Sequence, residues 1–586
     1  MDALLLTVVP LVGYLIAYRV YGRFLARRIF QLDDSRPVPS REINDGVDYV
    51  PTRKGIIFGH HYTSIAGTGP IVGPAIGIIW GWVPAIIWVV VGSIAMGAVH
   101  DFGSLIISLR NEGKSLSEIA GKYINTRVRT IFFLVVFLEL WIVIAVFGMV
   151  IAILFSMYPQ SVFPIWMEVP IAVGLGYAIY RRSANLTLAT LGAVTAMYVT
   201  VVIGHWLPLE MPALAGLPPM GIWVIVLLVY AFIASTLPVT TLLQPRDYIN
   251  AWQLFVAMGL LLLGTLASVG RGSLHIVAPA LSMHPSGAPP LWPFLFVTIA
   301  CGAISGFHSL VASGTTPKQI STESDALFVG YGSMLMEGVL ATLVIVAVAA
   351  GIGMRYEVKG VEGAVASVLQ GREAWMAHYN SWGAAEGLGS KVGAFVTGSA
   401  NMMASFGLPV WLGVVVMGVF VASFAGTTLD TATRIQRYVL GELGSDFRIK
   451  PLSNRYVATG VAVVTAAGLA FVTGADGKGA LKLWPLFGAV NQLLAALALL
   501  VATVYLKRRL RFGWLTTALP LVFMLVMTNH AMFLNERTFI RNETWHLVGI
   551  NAVVQILALW MTVEAVLVFL RTSGPRAPGP AEAAAS

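Results

Sequence analysis

The chain alternates long apolar runs with short polar stretches in which its basic residues are concentrated. The runs are close to 20 residues long, which is the length that crosses a bilayer as an α-helix. An outer-membrane barrel would instead show alternation in segments of about 10 residues. About fifteen runs predict transmembrane helices, with approximate cores at 3–19, 56–80, 83–108, 130–157, 168–180, 185–206, 219–243, 250–270, 291–316, 328–352, 409–428, 456–474, 483–505, 513–534 and 546–570.

Composition agrees with this pattern. Of the 586 residues, 57% are hydrophobic and only 11% are charged, well below the usual share in soluble domains. The sequence therefore predicts an all-α polytopic membrane protein. The formal charge of +9 does not indicate a nucleic-acid partner, because the basic residues lie between apolar runs, as in cytoplasmic loops. The single cysteine, Cys301, excludes an intrachain disulfide.

The basic loops also predict the topology. With strict alternation from an outside N-terminus, residues 1–30 contain the first transmembrane helix, and 31–55 and 431–455 are cytoplasmic loops. The segment 392–408 is apolar but short and rich in Gly and Ser, and counting it as a span would invert everything after it. It is interpreted as re-entrant or surface-lying on the outside, and the sequence leaves open whether it spans. The tail 572–586 is predicted to be disordered.

The order of the spans predicts two inverted repeats. Five spans cover 56–206 and five more cover 219–428, and an odd number per unit makes the units enter the membrane from opposite sides. Such repeats place substrate and ion sites at the midplane, in broken helices. The expectation is an inverted-repeat transport core over 56–430, followed by accessory helices over 456–571.

Each unit begins with a helix that Gly or Pro interrupts. The exposed N–H groups at the start of a half-helix favour an anion. The predicted substrate site therefore lies at the first interruption and faces the second, although ordinary kinks and close packing of small residues remain the alternatives. Its residues are Gly67, Gly69, Pro70 and Gly73 in the first unit and Ser235, Thr236 and Pro238 in the second.

Several ionisable side chains lie within or at the edge of apolar runs, where they are costly and are functional candidates by default. These residues are His60, His61, His100, Asp101, Glu139, His308, Glu337 and Asp430. Carboxyl groups and imidazoles at such depth suit a proton relay, with Asp101 and Glu139 as the leading carriers, although each alone could be a structural partner.

A metal site is the competing interpretation of the histidines. His60, His61, His100 and Asp101 offer three imidazoles and a carboxylate, which suit zinc, but their spacing matches no metal motif. No His-Glu-x-x-His pair occurs, so the sequence does not favour an intramembrane metalloenzyme.

Long strings of this chain resemble the carbon starvation protein A family. They are Asp45-Gly-Val-Asp-Tyr-Val-Pro-Thr, Phe58-Gly-His-His, Ala66-Gly-Thr-Gly-Pro-Ile-Val-Gly-Pro, Pro245-Arg-Asp-Tyr, Ile299-Ala-Cys-Gly-Ala-Ile-Ser-Gly-Phe-His-Ser, Ser313-Gly-Thr-Thr-Pro-Lys, Gly330-Tyr-Gly-Ser-Met-Leu-Met-Glu, Thr427-Thr-Leu-Asp-Thr-Ala-Thr-Arg and Trp484-Pro-Leu-Phe-Gly-Ala-Val-Asn-Gln. The resemblance implies a secondary transporter of the bacterial or archaeal inner membrane, with a LeuT-like core of five plus five helices. It further implies uptake of peptides and of pyruvate when carbon is scarce. The chain departs from the family pattern at His100, where Gln is expected before Asp101.

The resemblance also makes Ser309 and Ser313 candidates for a sodium site, because LeuT-like proteins use hydroxyls together with carbonyls of the first core helix. Hydroxyls that bond back to their own helix are the alternative. The prediction is a proton-coupled symporter that imports small carboxylate-bearing nutrients by alternating access and is not an enzyme. The alternative is a cation or metal-ion permease using His60, His61 and His100. Peptide or pyruvate, proton or sodium, a bound metal and the oligomeric state stay open.

Overall fold

The computed structural model describes residues 2–359 and 365–571, and most of these are folded into α-helices. The predicted disordered tail, 572–586, lies outside the described residues. Twenty-three α-helices are labelled here in chain order. They are α1 Asp2–Ala17, α2 Pro39–Glu42, α3 Lys54–Ala66, α4 Gly69–Gly77, α5 Trp82–Gly92, α6 Ala98–Leu109, α7 Leu116–Tyr123, α8 Thr126–Met157, α9 Val162–Tyr180, α10 Leu186–Trp206, α11 Pro219–Thr236, α12 Leu243–Gly270, α13 Leu291–Thr298, α14 Gly306–Gly314, α15 Ser333–Ala349, α16 Gly371–Tyr379, α17 Trp382–Ala385, α18 Leu388–Ala404, α19 Val410–Asp446, α20 Arg455–Phe471, α21 Trp484–Lys507, α22 Leu515–Arg541 and α23 Trp545–Arg571.

Short tighter or wider turns extend several of these helices. The π-helical turns are Tyr18–Gly22, Leu25–Ile29, Ser93–Gly97 and Leu327–Gly332, and the 3₁₀ turns are Ile78–Trp80, Pro159–Ser161, Thr316–Lys318, Gly351–Met354, Lys450–Ser453 and Lys478–Leu483. The described residues also form one antiparallel hairpin, β1 Tyr356–Lys359 with β2 Val365–Leu369, in which Tyr356 pairs with Leu369.

Twelve continuous helical segments within 2–359 and 365–571 are long and apolar enough to cross a membrane. A bent pair, Lys54–Ala66 with Gly69–Trp80, adds a thirteenth if the two halves form one span, and its halves meet at 41°. The predicted all-α polytopic membrane fold is therefore confirmed. The count of fifteen is not confirmed, because the expected span 291–316 is divided into α13 and α14, and α20 has only 17 residues.

Burial separates a central group of helices from a peripheral one. We compare the most apolar 18 residues within each span. In Lys478–Lys507 all of these 18 residues are buried inside the protein, and in Leu327–Met354 94% of them are buried. The corresponding shares are only 17% for α10 and 22% for α23. Because large apolar side chains such as Leu188 and Leu570 are exposed on these outer helices, that surface suits contact with lipid.

The loops collect on two faces. One face, called here the basic face, contains the loops that carry Val50, Tyr123, Lys318 and Arg508. There, Val50 N–H donates to the Lys318 carbonyl and Arg508 donates to the Tyr123 carbonyl. On the opposite face, Trp382 N–H donates to the Ser286 carbonyl. The helix α18 belongs to the opposite face, where it packs against α4, α12, α15 and α19. Most of the segment interpreted as re-entrant, 392–404, thus belongs to a 17-residue helix enclosed by other helices.

Candidate functional site

The first helix break, residues 67–68, separates α3 from α4. Gly67 has a φ of +46°, in the left-handed region that favours glycine. A side chain here would also collide with the Thr428 hydroxyl of α19. The glycine is needed both for the backbone conformation and for the close approach of α19.

Glycines continue along one face of α4. A Cβ at Gly69 would overlap the Cys301 side chain, and a Cβ at Gly73 would lie 2.7 Å from the Thr298 carbonyl oxygen. Pro70 stands in the first turn of α4, where its missing N–H leaves no helical hydrogen bond unmade. The small residues therefore let the segment that follows α13 lie directly on α4.

That segment is a second helix break, residues 299–305, which the sequence pattern had treated as the middle of a continuous span. Gly302 has a φ of +89°. The side-chain carbonyl of Asn491 on α21 accepts the Phe307 N–H at 2.9 Å, which satisfies a free donor at the start of α14. The contacts of Gly69 and Gly73 place the two breaks against each other.

A cavity of about 970 Å³ has both breaks in its lining and also reaches the face of the protein that lies opposite the basic face. Its inner part is lined by 65–69 and by Cys301, and its outer part by 287–290 and by α22 residues. The charged residues among its described lining are three cations, Lys391, Arg537 and Arg541, and one acid, Glu386. The cavity therefore carries an excess of positive charge, which favours an anionic ligand.

A chain of buried imidazoles and carboxylates lies beside the second break. His308 Nδ1 is 3.1 Å from Asp101 Oδ2, and His308 Nε2 is 3.3 Å from Glu337 Oε2. His100 Nδ1 is 2.8 Å from the other Asp101 oxygen, and Glu337 Oε1 accepts the Gly302 N–H at 2.8 Å. The four side chains are fully buried. The chain links α6, α14 and α15 to the backbone of the second break.

The paired histidines of α3 bind different partners. His60 Nδ1 lies 2.5 Å from Asp247 Oδ2 of α12, and His61 Nδ1 lies 2.8 Å from the Thr316 hydroxyl. The structure thus distributes His60, His61 and the His100–Asp101 pair over three separate hydrogen-bonded contacts. Within the described ranges, the group whose ligand atoms all lie within 4.8 Å of one another consists of Cys301, His308 and Glu337.

A second buried ionic cluster lies between α9, α11, α12 and α19. Arg246 is in very close contact with Asp430, and its Nε lies 3.8 Å from Glu168 Oε2. The Tyr230 hydroxyl donates to Asp430 at 2.9 Å, and the Ser423 hydroxyl donates to Glu168 at 2.5 Å. Asp430, a sequence candidate for coupling, is therefore neutralised by a guanidinium in this state.

Glu139 differs from the other acids. Its carboxyl group on α8 is fully buried, and neither oxygen has a hydrogen-bond partner among the described residues.

The hydroxyls of Ser309 and Ser313, the candidates for a sodium site, bond back along α14. They donate to the carbonyls of Gly306 and Ser309, each at 2.7 Å. A hydroxyl of α19 also meets α3, since the Ser64 and Thr431 hydroxyl oxygens are 3.2 Å apart.

The second set of predicted substrate residues does not face the first break. The Ser235 hydroxyl donates to the Asp430 carbonyl at 3.2 Å, and Thr236 donates to its own helix at Ile233. Pro238 caps a turn, with its carbonyl accepting the Thr241 N–H. Tyr230 and Ser235 contact Asp430 of α19, whereas Thr428, two residues earlier and about 200° around that helix, touches Gly67. The partner of the first break is the second break, 299–305.

The basic face is closed by a strap, residues 45–53, that crosses the helix ends. Asp48 Oδ1 accepts from Arg434 Nη1 at 2.6 Å, and both Asp48 oxygens are 2.9 Å from Arg437 Nη2. Burial works against ionisation, but the two guanidinium groups outweigh it and lower the pKa of Asp48 to about 2.

Backbone hydrogen bonds attach the strap to two further elements. Val239 N–H, between α11 and α12, donates to the Val47 carbonyl at 2.9 Å, and Val50 N–H donates to the Lys318 carbonyl at 3.0 Å. The strap thus joins the α11–α12 connection, the end of α19 and the turn after α14, on the face away from the cavity mouth.

Comparison with known proteins decides the family. The model of the family described as "Carbon starvation protein CstA" matches residues 2–531. The chain belongs to the CstA family. The Peptide transporter CstA of Campylobacter jejuni is 34% identical to it, over 90% of this chain and 79% of that protein. The Pyruvate/proton symporter BtsT of Escherichia coli K12 is 33% identical, over 91% of this chain and 81% of that protein.

These relatives confirm the predicted family, and with it a membrane transporter rather than an enzyme. Among solved structures, MhsT in complex with L-phenylalanine covers 82% of this CstA chain and 98% of its own, at 11% identity and a TM-score of 0.46. Mhp1 with bound bromovinylhydantoin gives a TM-score of 0.42 at 13% identity, over 92% and 98% of the two chains.

Proposed function

We propose that this CstA-family chain is a proton-coupled secondary importer of small carboxylate-bearing nutrients, peptides or pyruvate, in the bacterial inner membrane. One observation carries the proposal. The positively charged cavity has the two adjacent helix breaks in its lining, and a buried imidazole–carboxylate chain is bonded to the second break. Relatives named as a peptide transporter and as a pyruvate/proton symporter support both candidate substrates and the coupling proton.

The substrate carboxylate is assigned to the start of α4. Gly69 opens this half-helix, and Gly69 and Gly73 both lie in the cavity lining, with Cys301 packed against Gly69. A helix N-terminus presents free N–H groups and a positive dipole end to an anion. The cavity volume, about 970 Å³, admits a short peptide as well as pyruvate.

The coupling proton is assigned to the chain formed by Asp101, His308 and Glu337. The His308 ring lies between two carboxylates, so a proton on it is stabilised from both sides. Because Glu337 holds the Gly302 N–H, a change in its protonation alters the bonding of the second break directly. Glu139 is a second candidate carrier, as a buried carboxyl that has no bonded cation in the described structure.

Alternating access is assigned to two inverted units built around the two broken helices. The supporting contacts come in pairs in which the helices of the two units exchange places. The contact of α3 with α12 corresponds to that of α14 with α21, and the contact of α8 with α21 corresponds to that of α19 with α12. Two further contacts, α8 with α19 and α11 with α20, each join a helix of one unit to its counterpart in the other unit. This assigns the units to 54–270 and 291–507, with the α9–α10 hairpin inserted in the first, in place of 56–206 and 219–428.

A bound zinc ion would be a structural addition at Cys301, His308 and Glu337 rather than the cargo. These three offer a soft and two harder ligands within 4.8 Å, but His308 and Glu337 already bind each other and their neighbours. Elemental analysis of the purified protein tests this point, and stoichiometric zinc would move these residues from the proton path to a metal site.

Uptake into proteoliposomes tests the importer. Pyruvate and dipeptides are offered under a proton gradient alone and under a sodium gradient alone. Accumulation driven only by the proton gradient is the expected result. Accumulation driven only by sodium would overturn the coupling, and no uptake of either substrate class would overturn the import function.

A further inference from the structure

Lys391 is the most unusual charged residue of the cavity. It lies in the first turn of α18, is only 6% exposed, and lines the cavity that leads to the first break. No carboxylate of the described residues lies within 4.0 Å of its ammonium group, so it forms none of the protein's ion pairs.

Two physical costs fall on this ammonium group. A largely buried cation without a paired anion loses part of its hydration and recovers little of that energy from the protein. The first turn of a helix is also the positive end of its dipole, where a cation is repelled and an anion is attracted. The neighbouring ring of Trp484, 5.8 Å from Nζ, offers only a weak cation–π contact.

An ammonium group held at these costs inside the cavity points to an anionic ligand. We propose that Lys391 forms an outer carboxylate-binding subsite, which captures the substrate anion before it reaches Gly69. The proposal deepens the importer assignment and rests on it. The positive end of α18 adds to the attraction, and Trp484 provides an apolar wall for the methyl group or side chain beside the carboxylate.

Glu386 is the one acid among the described residues that line the cavity. Unlike Lys391 it is exposed. A carboxylate in water needs no partner, so it can release Lys391 to an arriving anion at little cost. Arg537 and Arg541 are also exposed, and they are assigned to long-range attraction rather than to the subsite itself.

The first experiment compares uptake by Lys391→Gln, Lys391→Arg and Glu386→Gln in proteoliposomes. Loss of a charge-assisted contact predicts that Lys391→Gln raises the KM for pyruvate at least about tenfold with little change in maximal rate. Lys391→Arg should keep the KM near that of the unmodified protein, and Glu386→Gln should not raise it. A KM in Lys391→Gln that stays within about twofold of the unmodified value would overturn the subsite.

A second experiment needs no transport and no variant. An amine-reactive reagent is added to the purified protein, and labelling of Lys391 is followed by mass spectrometry with and without pyruvate. Pyruvate should slow the labelling, whereas its uncharged methyl ester should not. Equal labelling in all three conditions would overturn the subsite.

The two experiments separate the two proposals. If the protein imports neither substrate but pyruvate still protects Lys391, the subsite stands and the import function falls. If import is proton-driven but neither KM nor labelling depends on Lys391, the import function stands and the subsite falls.

Discussion

His308 Nε2 and Glu337 Oε2 lie 3.3 Å apart, fully buried, where the second broken helix turns. The other oxygen of Glu337 holds the Gly302 N–H of that turn. One carboxylate thus connects a titratable imidazole with an unwound backbone segment in the cavity wall. In the proposed mechanism a proton acts on the substrate site through this carboxylate, because neutralising Glu337 weakens both of its contacts at once.

Replacing Glu337 by Gln therefore separates proton coupling from substrate exchange. The amide keeps the size of the carboxyl group and can still accept the Gly302 N–H, but it cannot be protonated. We expect loss of proton-driven accumulation of pyruvate, with exchange of labelled for unlabelled pyruvate retained. Both activities are measured in the same proteoliposome preparation. Accumulation that still follows the imposed pH gradient would remove Glu337 from the proton path.

Substitutions of Asp101 and of Glu139 are expected to affect the stability of the protein differently, although the sequence presents the two acids as equal candidates. Asp101 accepts from His100 and from His308, so Asp101→Asn should destabilise the protein by about 1.5–3 kcal/mol. Glu139 has no bonded partner in the described structure, so Glu139→Gln breaks no hydrogen bond and should destabilise the protein less than Asp101→Asn does. Thermal unfolding in detergent measures both. Equal losses would contradict the bonding described here.

The buried acids show what the sequence could provide. Apolar run lengths and basic loops predicted a polytopic helical protein, and the cost of buried ions selected Asp101 and Glu337. The second break was not predicted, because 299–305 is as apolar as a helix and carries no proline. The contact between His308 and Glu337 joins residues 29 apart through tertiary packing, which no periodicity encodes.

The misplaced partner of the first break has the same physical origin. Pro238 is a strong local signal, and it does end α11, but at the basic face rather than at the cavity. The cation Lys391 was not selected either, since a lone lysine near a polar stretch resembles an ordinary loop charge. Only the packing of α18 against α4 places it inside the cavity.

Gly69→Ala tests the proposed carboxylate site by steric means. The added methyl group would overlap Cys301, so one of the two breaks must shift at a cost of about 1–3 kcal/mol. We expect weaker pyruvate binding, by about 5-fold to 150-fold, if that strain falls on the bound state. The affinity is measured by calorimetry on the purified protein.

Two further variants control this result. Gly192→Ala on α10 adds the same methyl group where no neighbouring atom lies within 4 Å, and it should leave the affinity unchanged. Adding Cys301→Gly to Gly69→Ala removes the colliding side chain and should restore part of the lost affinity. An unchanged affinity in Gly69→Ala alone would count against the carboxylate site at this half-helix.

Asp48→Asn tests the strap, and pH gives the sign of the effect. Arg434 and Arg437 hold the pKa of Asp48 at about 2, below its ordinary value of 3.8, so the ionised group stabilises the folded state. That contribution, about 2 kcal/mol, is complete above about pH 4 and is lost as the pH falls towards 2. Asp48→Asn should therefore lower the free energy of unfolding at pH 7 and change it much less near pH 2.

An exposed carboxylate on the same face provides the matched control. Glu112 lies 3.1 Å from Lys114 but its side chain is 73% exposed, so Glu112→Gln should have almost no effect at either pH. Denaturant unfolding of the three proteins at pH 7 and at the lowest pH where they stay folded measures the differences. If Asp48→Asn and Glu112→Gln change the free energy of unfolding equally at pH 7, the strap does not stabilise the state in which the cavity opens away from the basic face. A larger loss in Asp48→Asn, together with faster labelling of strap residues from the basic side, is the outcome expected if these two arginines hold that face closed.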